Sequence, residues 1–172
     1  MKLHELAFAC YIYGVMTDYD TSYLHFCDAT NHAPDLSIPE HQAELLKWLN
    51  DWGCRQFALK YHNLAAKEIE TWWRECRASI VGTHRALPEL LDSDIRSTSI
   101  AYGKLAQRAA SKRVSRRHRE STIRVGPTGA AKILFALRPE ALVPWDAAIR
   151  QKLGLDGSAK SYAEYLRLVR AE

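Results

Sequence analysis

Apolar and polar positions along this chain recur with the period of a helix far more often than with that of a strand. Between Ser37 and Gly53, Leu45, Trp48, Leu49 and Trp52 fall at i, i+3, i+4 and i+7, the spacing that lines up one helical face. Ser37 with Glu40 has the form of a capping box at its start. A second stripe, Ile69, Trp72, Trp73 and Cys76, predicts a helix from about Asn63 to Ile80, with Gly82 beyond its end. From Thr98 to Arg119 the pattern is helical again, and Lys104, Arg108, Lys112 and Arg116 stand four apart along one side. Val125-Gly126-Pro127-Thr128-Gly129 reads as a tight turn, after which Ala130, Ile133, Leu134 and Leu137 form the stripe of a helix that Pro139 stops. A short helix runs from Asp146 to about Leu153, Asp156-Gly157 turns the chain, and a last helix carries Tyr162, Tyr165, Leu166 and Val169. Thr17 to Ser37 mixes Asp, Thr, Asn, His and Pro as an irregular loop would. No convincing alternating strand stands out, and the expected class is all-α.

A chain of 172 residues can bury a core without staples, and the absence of repeats or Ser/Gly-rich linkers predicts one compact helical domain over 1–172. No window is long and apolar enough to span a bilayer, so no membrane partner is expected. Leu6 to Met16 lacks the marks of a secretion signal, because Glu5 interrupts the charged end and no A-x-A site follows. A monomeric, cytoplasmic, prokaryotic-type protein acting at the nucleoid is the expectation. The four cysteines, Cys10, Cys27, Cys54 and Cys76, include no C-x-x-C and read as reduced core residues. His25, Cys27, Asp28 and His32 fit no standard zinc spacing, and neither metal nor cofactor is expected.

Charge changes the picture once it is divided. Residues 1–99 hold 9 Lys and Arg against 14 Asp and Glu, whereas residues 100–172 hold 15 against 6, so an overall +4 conceals parts of about −5 and +9. The second part should attract a polyanion, nucleic acid being the commonest. The row ending in Lys112 and Arg116, thickened by Arg113, Arg117, His118 and Arg119, stacks like charges and suits a phosphate backbone.

Helix, glycine-bearing turn and helix, with the first helix basic, form the outline of a helix-hairpin-helix element centred on 124–129. Glycines such as Gly126 and Gly129 let the backbone approach a phosphate, so that N–H groups opening the second helix can donate to it. Val125-Gly126, the apolar helix, and Ala136-Leu137-Arg138-Pro139-Glu140-Ala141-Leu142-Val143-Pro144-Trp145-Asp146 together resemble the helix-hairpin-helix DNA glycosylases, a superfamily that includes the 8-oxoguanine glycosylases and endonuclease III. The resemblance covers roughly residues 120–155. It implies two helical lobes, an acidic one over 1–99 and a basic one over 100–172, with the site between them. It also implies that Asp146 is the catalytic carboxylate, that double-stranded DNA with a flipped-out base is the partner, and that Arg124, Gly126, Thr128, Gly129 and Lys132 lie at the phosphates beside Lys112, Arg116 and Arg117.

Two departures bear on the chemistry. Bifunctional members carry a lysine where this chain has Thr128, and the nearest amine, Lys132, stands one helical turn further on and reads as a phosphate or solvent contact. Hydrolytic, monofunctional excision is therefore expected. The family's first hairpin glycine is replaced by Arg124, and no cysteine beyond Cys76 is present to hold an iron-sulfur cluster. A flipped base needs a pocket. Trp145, Trp48 and Trp52 are the candidates to wall it, core packing being the other reading of each. Damaged, mismatched and deliberately modified bases, in repair or in defence against phage DNA, all fit; a DNA-binding module without catalysis is the alternative.

Overall fold

The computed structural model describes residues 18–114 and 119–172. The segment Leu6 to Met16, Cys10 and, among the expected phosphate contacts, Arg116, Arg117 and His118 lie outside them. The described chain is mostly helical, with seven α-helices and one two-stranded sheet.

The first helix, α1 (Tyr19–Ala29), occupies the stretch expected to be a loop. Its polar residues face solvent, while Phe26 is buried and Tyr23 lies 5.6 Å from Trp48 and 5.1 Å from Phe135, centroid to centroid. The Thr30 hydroxyl donates to the Phe26 carbonyl at its C-terminal end, and Asn31 and His32 then take left-handed φ values of 50° and 55°. Two residues tolerant of that conformation thus stop the helix.

Helix α2 (Pro39–Asp51) buries Leu45, Leu46, Trp48 and Leu49 and opens with Pro39 in its first turn. Ser37 does not cap it: its N–H and hydroxyl both donate to Asp35 Oδ1, at 2.9 and 2.7 Å, which also accepts from Trp73 Nε1. Helix α3 (His62–Cys76) ends earlier than its sequence stripe suggests, in a 3-10 turn over Arg77–Ser79. It buries Ile69, Trp72, Trp73 and Cys76, and Trp72 Nε1 donates to the Ala101 carbonyl at 2.8 Å.

The helix expected from Thr98 to Arg119 is two different elements. Helix α4 (Asp92–Ala106) stops, and β1 (Ala109–Val114) then pairs antiparallel with β2 (Glu120–Arg124). Continuing the helix would stack Lys112, Arg113, Arg116, Arg117 and Arg119 one turn apart, with like-charge repulsion at every step. The hairpin instead matches Lys112 with Glu120 at 3.1 Å and gives Val114, Thr122 and Ile123 the extended backbone that β-branched side chains favour. Arg108, in the connection, is turned inward onto Glu68 and Glu75 of α3.

Helix α5 (Gly126–Leu137) is the most apolar element, with Ala130, Ala131, Ile133, Leu134, Ala136 and Leu137 buried where it packs on α2 and α4. The short α6 (Ala147–Leu153) and α7 (Ala159–Ala171) complete the chain. Gly103 of α4 lets Ala159 of α7 close to a distance at which an added Cβ would lie 3.1 Å from the alanine methyl. Buried residues from Phe26 to Leu166 form one core, shared by the acidic and basic parts of the sequence. Among the described residues no helix is long and apolar enough to cross a membrane.

Candidate functional site

The segment before Asp146 is held by aromatic packing. Trp145 is 1% exposed and stacks on Tyr165 at 5.2 Å, with Tyr162 and Tyr102 meeting it edge-on at 5.3 and 6.1 Å. The tyrosine hydroxyls reach past the indole to the backbone: Tyr162 donates to the Val143 carbonyl and Tyr165 to the Pro144 carbonyl, each at 3.2 Å. Burial raises all three phenols, Tyr102 to about 12, and the negative charge of Asp146 adds to the rise at Tyr165. Trp145 is thus an anchor inside the core rather than a pocket wall.

On that anchor Asp146 emerges exposed, as the N-cap of α6. Its Oδ1 accepts the Ile149 N–H at 2.8 Å, and among the described residues its second oxygen has no hydrogen-bond donor. One turn further along, Arg150 lies over the Trp145 ring at 5.4 Å and donates through Nη1 to Thr128 Oγ1 at 3.1 Å. The opening turn of α5 is thereby tied to the helix that Asp146 caps. Gly157 closes the same corner from the other side, since a Cβ there would collide with the Pro127 ring.

No family model matches the chain, nor does any curated protein or solved structure. The site therefore rests on its own geometry.

The glycines of the turn divide into two roles. Gly126 has φ +71° with open space where a side chain would be, so backbone conformation requires glycine there. Gly129 is buried, and a Cβ would come within 2.7 Å of Gln56 Nε2 and 3.3 Å of Phe57, so its small size serves packing. Arg124 and Lys112 are exposed on the hairpin. Lys132, expected at phosphate or in solvent, instead donates to the Trp52 carbonyl at 2.5 Å and lies 5.2 Å from the centre of the Trp52 ring, joining α5 to the end of α2.

The tryptophans expected from the N-terminal part belong to the same packing. Trp48 is 1% exposed, and Trp52, half-buried, donates to the Tyr19 carbonyl at 2.9 Å. The polar group near α1 is not gathered around a metal: His25 faces Glu44 and His32 faces Asp28. Among the described residues no three His, Cys, Asp or Glu side chains come together in that way. Sequence reasoning missed Arg150, whose position four residues after Asp146 was a usable signal, and the two tyrosines that steady the Pro144-Trp145 step, which were legible only as an apolar stripe.

Proposed function

We propose that the chain binds DNA and excises a base by hydrolysing its N-glycosidic bond, with Asp146 as the catalytic carboxylate. The observation that carries this reading is the junction of Thr128, Arg150 and Asp146. Arg150 bridges the residue in the position of the bifunctional lysine and the residue in the position of the family carboxylate, 18 apart in sequence: its side chain donates to Thr128, and its backbone N–H donates to the Asp146 carbonyl at 3.1 Å. Rupture of the bond between base and deoxyribose leaves a sugar of oxocarbenium character, and a fixed carboxylate beside C1′ stabilises that charge. The base departs with the bonding electron pair, water adds at C1′, and the water gives up a proton. Asp146 suits such a task because one oxygen is held by Ile149 while the other is open, on a segment clamped by two tyrosine hydroxyls.

In this reading the helix-hairpin-helix grip is rebuilt with strands. The ribbon carrying Lys112 and Arg124 leads into Gly126, whose left-handed backbone starts α5. Thr128 has no amine to attack C1′, so the product is an abasic site in an unbroken strand. A second reading, binding without chemistry, is favoured by one observation: Oδ1 of Asp146 already serves as a helix cap.

The test is the purified chain against duplexes bearing damaged, mismatched and hypermodified bases, each read with and without alkaline cleavage. Asp146→Asn keeps the size and much of the capping ability but loses the charge. Excision is expected to fall by about 100-fold or more while folding and binding persist. Excision by the Asn variant at the wild-type rate would reduce Asp146 to a cap.

A further inference from the structure

The loop between α2 and α3 and the first strand of the hairpin enclose a cleft of about 530 Å³. Its polar wall consists of Arg55, Gln56 and Lys60 from the loop and Ser111, Lys112 and Arg113 from β1, and no carboxylate is among its described lining residues. Arg55, Lys60, Lys112 and Arg113 are all exposed. Among the described residues only Lys112 of these has an acidic partner, Glu120 at 3.1 Å, while Lys60 lies 4.9 Å from the centre of the Tyr61 ring. Four cations facing one trough, three of them without an acidic partner among the described residues, repel one another, a cost that a bound polyanion removes.

The two cations from the loop belong by sequence to the acidic part of the chain, and folding carries them to the basic ribbon. The junction is fixed by the wall itself: Gln56 Nε2 donates to the Val125 carbonyl at 2.9 Å, immediately before Gly126 and the start of α5. A contact path thus runs from the cleft through Val125 and the first turn of α5 to Arg150 and the helix capped by Asp146.

We propose that this cleft is a clamp for the phosphates of one DNA strand, with Arg55 and Lys60 on one side and Lys112 and Arg113 on the other. The proposal deepens the DNA-binding reading and rests on it. Its trough-like wall of exposed cations suits a continuous backbone, and it contacts phosphates without reading bases. The clamp explains why a ribbon, rather than a helix, precedes α5: an extended strand sets Lys112 and Arg113 along the trough opposite the loop.

The experiment measures binding of an unmodified DNA duplex by fluorescence anisotropy between about 50 and 200 mM salt, so that excision plays no part. Arg55→Ala with Lys60→Ala is expected to make the plot of log affinity against log salt shallower by about two units, since each lost phosphate contact removes about one. Arg113→Gln should remove about one more. Arg74→Ala with Arg96→Ala, equal in charge but exposed elsewhere on α3 and α4, should leave the slope unchanged. Thermal melting of each variant shows that it is folded. A wild-type chain that binds, with cleft variants of unaltered slope, overturns the clamp and leaves the DNA reading standing. A wild-type chain that binds no DNA, or binds an RNA duplex more tightly, overturns both.

Discussion

Under the proposed excision, Lys132 decides between hydrolysis and imine chemistry, because it is the lysine nearest to Thr128 in sequence. A lysine that attacks C1′ forms a Schiff base and leads to strand cleavage. Here the ammonium is engaged by the Trp52 carbonyl and rests against the Trp52 ring, where the hydrogen bond and the cation–π contact both hold it toward the α2 side of α5. Thr128 in turn is engaged by Arg150 of α6. Borohydride added to protein and an excised substrate should therefore trap no covalent adduct, and strand breakage should appear only after alkali. A trapped complex that disappears in Lys132→Ala would overturn the hydrolytic assignment. Asp146 and Thr128 were legible as candidates because the resemblance aligned them. The inward turn of Lys132 was not, since a lysine one helical turn into an apolar helix looks the same in sequence whether it snorkels to solvent or lies on a tryptophan.

At the level of elements, α2, α3, α5, α6 and α7 were readable because each carries branched or aromatic residues at helical spacing and is bounded on at least one side by a glycine, a proline or a turn. Two elements were not. Helix α1 turns Tyr23 and Phe26 toward the core, beside the polar Asp20, Thr21, Ser22, His25 and Asp28, so its helicity comes from packing on Trp48 and Phe135 rather than from local pattern. The hairpin was hidden because Lys104, Arg108, Lys112 and Arg116 stand four apart in sequence, a helical period that runs on past the end of α4 at Ala106. The corner between α5 and the turn before α7 shows how tightly such elements are set. Gly157→Ala would drive a methyl into the Pro127 ring, which cannot rotate away. It should cost about 1–3 kcal/mol, lowering Tm by about 2–10 °C in calorimetry. Gly82→Ala, with nothing within 4 Å of the added carbon, is the control and should melt close to wild type. Equal melting of the two variants would mean that Pro127 and Gly157 are not in register.

For the whole molecule, the groups that join elements set the pH range over which it stays folded. Asp156 is held down to about 2 by the hydrogen bonds of Ser158 and Ser161 at the start of α7. Asp35, lowered mainly by the Ser37 N–H, and Asp92, lowered mainly by Arg170, link other seams. Each folded value lies below the ordinary carboxylate range, so their stabilisation is complete above about pH 4 and is lost as pH falls through the folded values, about 2 for Asp156. The alkaline edge has the opposite sign of shift. Burial raises the phenols of Tyr102, Tyr162 and Tyr165, so the unfolded chain ionises first, and stability present below pH 10 is lost as pH rises through the folded values. For Tyr102, a rise from 10.0 to about 12 corresponds to on the order of 3 kcal/mol. Tyr102→Phe loses the hydroxyl's bond to the Gly157 carbonyl, about 1 kcal/mol near neutral pH, but also loses that alkaline liability. Melting temperature followed from pH 8 to 12 should therefore start lower for the Phe variant and then fall less steeply, the two curves converging or crossing near pH 12. Curves that stay parallel would mean that Tyr102 ionises freely in the folded chain, and that the tyrosine cluster behind Asp146 is open to water rather than sealed.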